Sequence, residues 1–177
     1  MNLPGGVGPE VADAFVFGML CHADLRQVVL GRNHGGIPAR LIGYRLWSGD
    51  GAAIVADGLC DVDGLFLKDL TAAEIARLDY YQAVWGNAAG RITLDVQGLR
   101  RSAISYFRAV PLAAAGSGWR FADWDARFGA EAVAAARDVM DLLGRAAPQS
   151  VAVRLVVPSR MITYPLVALR FSWQDRF

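Results

Sequence analysis

The sequence predicts an α+β domain, on three observations. Short apolar runs of strand character fill the chain up to about Phe107, one capped amphipathic segment interrupts them, and a long stretch of helical periodicity comes only afterwards. Strands first and helices late is the order of an α+β chain rather than of alternating βαβ units. At 177 residues, 54% of them hydrophobic and 20% charged, the chain suits a single domain large enough to bury a proper core.

After a Gly/Pro-rich start, Ala14 to Phe17 is a continuous apolar run bounded by turn residues and reads as a short buried strand. Gly18 then lets the backbone turn sharply. From Cys21 to Leu30 the residues Leu25, Val28 and Val29 lie at helical spacing, with Gly31 as the stop. Arg40 to Trp47 and Ala52 to Ala56 read as two strands separated by the turn-rich Ser48-Gly49-Asp50-Gly51. Asp61 to Leu67 reads as a further strand, entered through a turn. Thr71-Ala72-Ala73-Glu74 is a capping box, in which threonine and glutamate side chains each satisfy an exposed N–H at the start of a helix through Ile75, Leu78 and Tyr81. Arg91 to Val96 and Ser102 to Phe107 form a hairpin about Gln97-Gly98. Beyond Pro111 a loop of Ala, Gly and Ser leads to spaced aromatics from Trp119 to Phe128. A helix from about Gly129 to Leu143 follows, with Val133, Ala136, Met140 and Leu143 on one face and Gly144 as the stop.

Several function classes are disfavoured. A formal net charge of +1 supplies no long-range field for nucleic acid or an anionic membrane. No apolar stretch approaches the roughly 20 uninterrupted residues of a membrane span, and no leader pattern opens the chain. The two cysteines, Cys21 and Cys60, lack C-x-x-C spacing, so a reducing cytoplasm is the expected location. Cys21-His22 invites a metal or thiol reading, with Cys60 and His34 as distant candidates. Adjacent helical residues point about 100° apart and no ligand spacing repeats, so neither a metal nor another cofactor is expected. A nucleophilic role for Cys21 is disfavoured because no orienting acid is evident beside His22.

Phe15-Val16-Phe17-Gly18-Met19-Leu20, Pro38 to Leu46, Gly64-Leu65-Phe66-Leu67 and Ala76-Arg77-Leu78-Asp79-Tyr80-Tyr81-Gln82 together resemble the γ-glutamylcyclotransferase-like family. The resemblance implies a small closed, barrel-like sheet with flanking helices and a C-terminal helical extension. It also implies a pocket in which backbone N–H groups of an aromatic-Gly-Ser/Thr-Leu loop hold the carboxylate of a γ-glutamyl substrate. Phe17, Gly18, Met19 and Leu20 occupy those positions, with Phe for Tyr and Met for Ser/Thr. Backbone donors survive such replacements, so the loop is expected to keep its affinity for a carboxylate; the other reading is a buried strand end with a space-filling methionine. Tyr81 and Tyr106 are candidates to line the pocket, or else core. Arg40 and Arg91 are candidates to meet a carboxylate, or else solvated.

The family's Leu-Asp-x-aromatic-Glu reads Leu78-Asp79-Tyr80-Tyr81-Gln82, so the resemblance puts Gln82 where the general base belongs. In the family that glutamate takes a proton from the substrate α-amine, which attacks the γ-carbonyl, closes 5-oxoproline and releases the amine. An amide cannot accept that proton at neutral pH. Loss or change of activity, a deliberate substitution, and a different acid such as Asp79 or Glu74 standing in all remain open readings. The leading expectation is a cyclotransferase-like protein with lost or altered lactam-forming activity; the alternative is a noncatalytic binding module.

Gly18 to His22, Val29-Leu30-Gly31-Arg32 and the late Ala122-Asp123-Trp124 with Ala134 to Met140 resemble proteobacterial tellurite-resistance-associated proteins. Those proteins join a cyclotransferase-like domain to a Nudix hydrolase domain. This likeness spans about residues 12–145, and no Nudix signature follows it. It implies a core over residues 12–110, a helical extension over 111–147 and an apolar segment over 148–177 that is a linker remnant or a dimer element. The expected partners are a small γ-glutamyl-like molecule and, for that last segment, a second copy or a Nudix-type protein. Val151, Val153, Leu155 and Val157 alternate, and burying each large apolar side chain is worth roughly 1.5 to 3 kcal/mol. Truncation after Pro148 is therefore expected to lower the melting temperature or change the mass in solution, as measured by calorimetry and light scattering; a truncated chain unchanged in both contradicts a packed tail.

Overall fold

The computed structural model describes residues 11–48, 52–107, 120–151, 154–157 and 160–163. Strands β1 (Val11–Val16), β2 (Ile37–Ser48), β3 (Ala52–Thr71), β4 (Ala88–Val96) and β5 (Leu99–Phe107) close into a barrel in the order β1-β3-β2-β4-β5. Helix α1 (Ala23–Leu30) follows β1, α2 (Ala72–Val84) follows β3, and α3 (Phe121–Met140) comes after β5. A separate antiparallel pair, β6 (Arg154–Val157) and β7 (Arg160–Thr163), comes last. The expected α+β class, with a closed sheet, flanking helices and a late helical extension, is what the chain adopts. The expected Gly49 to Gly51 turn, the loop over 108–119 and most of the apolar tail lie outside the described residues. Among the described residues no helix is long and apolar enough to cross a membrane.

Alternation along β1 divides the core in two. Phe15 points into the barrel and packs with Leu41, Val62, Phe66, Leu94 and Ala103, which come from the other four strands. Ala14 and Val16 point outward, joining Leu67, Leu70 and Tyr106 against Leu25 and Val29 of α1, Leu78 and Val84 of α2 and Val133 and Ala136 of α3. β1 runs antiparallel to β3 but parallel to β5, which it meets in the ladder only at Ala14 and Ile104. The fully buried Ser105 reinforces that seam, its Oγ donating to the Phe15 carbonyl at 3.0 Å. Gly64 is required opposite, because a Cβ there would fall 2.6 Å from the Phe15 ring and collide with the Val16 carbonyl.

The two strands expected at Ala52 to Ala56 and Asp61 to Leu67 are one continuous strand. β2 pairs with both parts, from Ser48 opposite Ala52 to Ile37 opposite Phe66. The turn expected at the entry to Asp61 is a bulge instead: residues 57–60 stand opposite Gly43, whose φ of +82° and N–H bond to Asp61 absorb the mismatch. A second irregularity sets Lys68 and Asp69 opposite Asp13, whose carboxylate accepts from the Asp69 N–H at 2.9 Å. Gln97 and Gly98 both have positive φ, +54° and +84°, as a two-residue hairpin between β4 and β5 demands.

The helix expected from Gly129 begins eight residues earlier, at Phe121. Gly129 is no breaker; it is buried in the middle of α3, where a Cβ would press on the Asp125 carboxylate and meet the His22 ring at 3.4 Å. Glycine there lets α3 approach the start of α1. At the other end of α1, the Arg77 guanidinium from α2 donates from Nε to the Val29 carbonyl and from Nη2 to that of Val28, both at 2.9 Å. A cation on the last carbonyls also suits the negative end of the helix.

The Thr71–Glu74 capping box forms as expected. Glu74 is buried and does more than cap: it accepts from the Thr71 N–H at 2.9 Å and forms a two-pronged ion pair with Arg32 just beyond α1. Burial alone would raise the Glu74 carboxyl, but the Arg32 hydrogen bond, with those from Thr71, outweighs it and holds the group at about 2 instead of 4.5. A carboxyl depressed in the folded state stabilises fully above its unfolded value and loses that contribution as pH falls through the folded one. Glu74→Gln is therefore expected to cost about 2 kcal/mol at pH 7. The gap to the unaltered chain should close between pH 4.5 and about 2, as read by denaturant unfolding across pH; a pH-independent gap contradicts this account.

Candidate functional site

β1 hands the chain to the candidate ligand loop through Phe17, still extended, and Gly18, whose φ of +61° favours glycine. Gly18 to Cys21 then form one 3-10 turn. Its leading N–H groups have no partner within the turn, and no side chain caps it. The loop straddles both cores: Phe17 packs against the barrel interior, while Met19 and Leu20 pack into the cluster between barrel and helices. Tyr81 and Tyr106 belong to that second cluster, so four of the predicted ligand residues share one apolar environment.

His22 ends the turn and caps α1, its Nδ1 accepting from the Leu25 N–H at 3.3 Å. That leaves Nε2 to face Asp125 of α3, 3.3 Å away, with Trp124 edge-on at 6.4 Å. The orienting acid that is not evident in the sequence is therefore present, supplied from about a hundred residues downstream. With Nδ1 committed to a backbone donor and Nε2 to a carboxylate, the ring ties α3 to α1 and keeps no free lone pair for base catalysis. Cys21 places its thiol 3.9 Å from the Val16 carbonyl. Burial pushes this thiol up to about 11, with Arg26 opposing and Asp63 adding to the shift.

Gln82 lies on α2, next to Tyr81, where the helix ends in a Schellman arrangement. The Asn87 N–H bonds the Gln82 carbonyl at 3.0 Å, the Gly86 N–H bonds that of Ala83 at 3.0 Å, and Gly86 takes a φ of +73°. Asn87 also holds the side chain, its Nδ2 donating to Gln82 Oε1 at 2.6 Å. Asn87 takes up one lone pair of the amide oxygen and fixes its direction, and the amide also offers its NH2 donor. One turn earlier on α2, Asp79 accepts from the Tyr106 hydroxyl at 2.6 Å. Burial, then the bond to Asp79, raises the Tyr106 phenol, so it stays a donor. Burial likewise pushes Tyr81 up to about 12, against a lowering hydrogen bond with Trp85, whose ring it meets edge-on at 6.0 Å.

The candidate cations fall elsewhere. Arg40 pairs with Asp63 at 3.2 Å on the surface, and Arg91 is exposed on β4. Of the acids considered as stand-ins for the missing glutamate, Glu74 is consumed by Thr71 and Arg32, whereas Asp79 is exposed and accepts from Tyr106. Asn87 and Asp125 escape a reading of the sequence, since neither lies in a motif.

No family model and no curated protein matches the chain. Solved structures do. A solution structure of an Arabidopsis thaliana protein aligns with a TM-score of 0.54 and 19% identity, covering 86% of this chain and 97% of the other. A second solution structure from Arabidopsis thaliana aligns at 0.53 and 19%, covering 77% and 95%. The chain shares their fold. A structure named gamma-glutamyl cyclotransferase is also similar, at 0.49 and 17% over 56% of this chain and 68% of the other.

Because its thiol is raised to about 11, Cys21 should alkylate with iodoacetamide at pH 8 at least about tenfold more slowly in the folded chain than in urea. Peptide mapping by mass spectrometry checks this, and equal rates contradict the buried, protonated thiol.

Proposed function

We propose that this chain is a γ-glutamylcyclotransferase-like protein that binds a small γ-glutamyl or amino-acid-like carboxylate and has lost or altered the ability to form 5-oxoproline. The observation that carries the reading is the clamp of Asn87 on Gln82 Oε1. At the position where the resembled family has its base, this chain holds a donor, fixed in orientation by a helix stop. Phe17, Gly18, Met19 and Leu20 form the ligand loop in this reading, with Tyr81 and Tyr106 behind it. Residues 12–110 are the binding core, 111–147 its extension, and 148–177 the element that meets a second copy or a Nudix-type partner, in the cytoplasm. A noncatalytic metabolite-binding module connected with tellurite or oxidative stress is the second reading. It is favoured by the apolar side chains of Phe17 and Met19 beside an amide in place of an acid.

The lactam chemistry needs the substrate α-amine to lose a proton as it attacks the γ-carbonyl, and a missing general base typically costs about two to four orders of magnitude. The Asn87 clamp is compatible with a carboxylate, since Nδ2 can donate to one oxygen and leave the other free. Gln82→Glu is therefore expected to raise 5-oxoproline release from γ-glutamyl dipeptides by about 10²-fold or more over a very slow parent. Chromatographic assay of 5-oxoproline decides: a fast parent overturns the lost-activity reading, and no gain in the variant favours the noncatalytic module.

A further inference from the structure

The two histidines of the chain meet opposite sets of partners. His22 has a backbone donor at one ring nitrogen and a carboxylate at the other, a set that the neutral imidazole matches with one acceptor and one N–H. His34 lies in the connection between α1 and β2, and both of its ring nitrogens face carbonyl oxygens. Nδ1 stands 2.7 Å from that of Gly35 and Nε2 3.1 Å from that of Lys68. A carbonyl oxygen only accepts. The neutral ring has a single N–H, so in this setting it turns its other lone pair onto an oxygen; the imidazolium, with two, satisfies both.

The position of the ring gives this match a consequence. The β2–β3 ladder starts with Ile37 opposite Phe66, and Lys68 lies two residues past that pair, where the His34 ring takes the carbonyl in place of a further backbone bond. The carbonyl of His34 itself accepts from Arg26 Nε at 3.1 Å, and Nη1 of the same buried guanidinium holds the carbonyls of Leu20 and Cys21 at 3.0 Å each. One line of bonds thus runs from β3 through His34 and Arg26 to the turn that follows Gly18. The charged groups on the elements around the ring are committed: Lys68 to Asp69 at 3.0 Å on β3, the Asp13 carboxylate of β1 to the Asp69 N–H, and Arg32, beyond α1, to Glu74 of α2. Carboxylate, ammonium and guanidinium groups ordinarily keep their charge between about pH 5 and 8, the range in which a histidine gains or loses one.

We infer that His34 is a proton-operated latch: its charged ring fastens the connection between α1 and β2 to β3 and, through Arg26, steadies Leu20 and Cys21, and loss of the proton releases both. Protonation favours the fastened form, so the latch holds at the acid end of that range and lets go as pH rises. It does not depend on what the turn binds.

The test is NMR of the full chain, following exchange with water of the Arg26 Nε–H, which bonds the His34 carbonyl, and of the His22 N–H, which closes the turn on Met19. Corrected for the intrinsic pH dependence of exchange, protection of the Arg26 Nε–H should fall about fivefold from about pH 5.5 to about pH 8, the worth of one net hydrogen bond, and that of the His22 N–H should fall with it. In His34→Gln, which has no charge to lose, neither should change with pH. Protection of Arg26 that is independent of pH in the unaltered protein, the same pH dependence in His34→Gln, or a His22 N–H that does not follow Arg26 overturns the inference. Should His34→Gln not fold, the ring nitrogens of the unaltered protein decide. At about pH 5.5 both His34 nitrogens should carry a proton in slow exchange with water, and a ring that carries one proton, or exchanges both freely, overturns the latch.

Discussion

The position of β1 is the constraint on which the rest of the molecule depends. Six residues must pair with β3 on one side, touch β5 on the other, put Phe15 into the barrel and put Ala14 and Val16 under three helices. Where β1 is buried on both faces, from Ala14 to Val16, it reads as a continuous apolar run. Its contact with β5 is thin in backbone terms, so Ser105 closes the seam with a side-chain bond to the Phe15 carbonyl. Everything at the candidate site inherits its position from here. The strand ends at Val16, Gly64 gives way to it, and Gly18 redirects the chain into the loop.

Charged side chains then lock the helices to one another and to the loop that precedes α1. Arg26 ties α1 back to the loop it follows, Arg77 ties its far end to α2, and Arg32 reaches the buried Glu74 at the start of α2. His22 links the front of α1 to Asp125 on α3. Each of these groups bonds backbone or an opposite charge, so the desolvation cost of burying it is at least partly offset.

The polar face of α2 carries what chemistry the site has. Asp79 and Gln82, one turn apart, are each held by a residue from outside the helix, Tyr106 from β5 and Asn87 from the turn before β4. A carboxylate at Gln82 could take up a proton; the amide cannot at neutral pH, and offers N–H hydrogens as well. The same backbone geometry thus serves a base or a donor, and the side chain alone decides which.

Local signals made much of the fold legible in the sequence: the apolar run of β1, the Thr71–Glu74 box, Gly31 at the end of α1, the Gln97-Gly98 hairpin and the strand-then-helix order. Each rests on bonds between residues a few positions apart, whose energetics the residue types themselves determine. Glycines misled where their reason was distant. Gly129 suggests a helix start but is a mid-helix clearance for His22, just as the turn expected before Asp61 is a bulge opposite Gly43. At the site, the sequence by itself determined that Gln82 cannot take a proton and that Gly18 can turn the chain. Only the tertiary structure decided that Asn87 aims the amide, that Asp125 occupies His22 and that Arg26 is buried on the carbonyls of Leu20, Cys21 and His34. Those facts depend on which surfaces meet when the barrel closes, and no spacing along the chain encodes them.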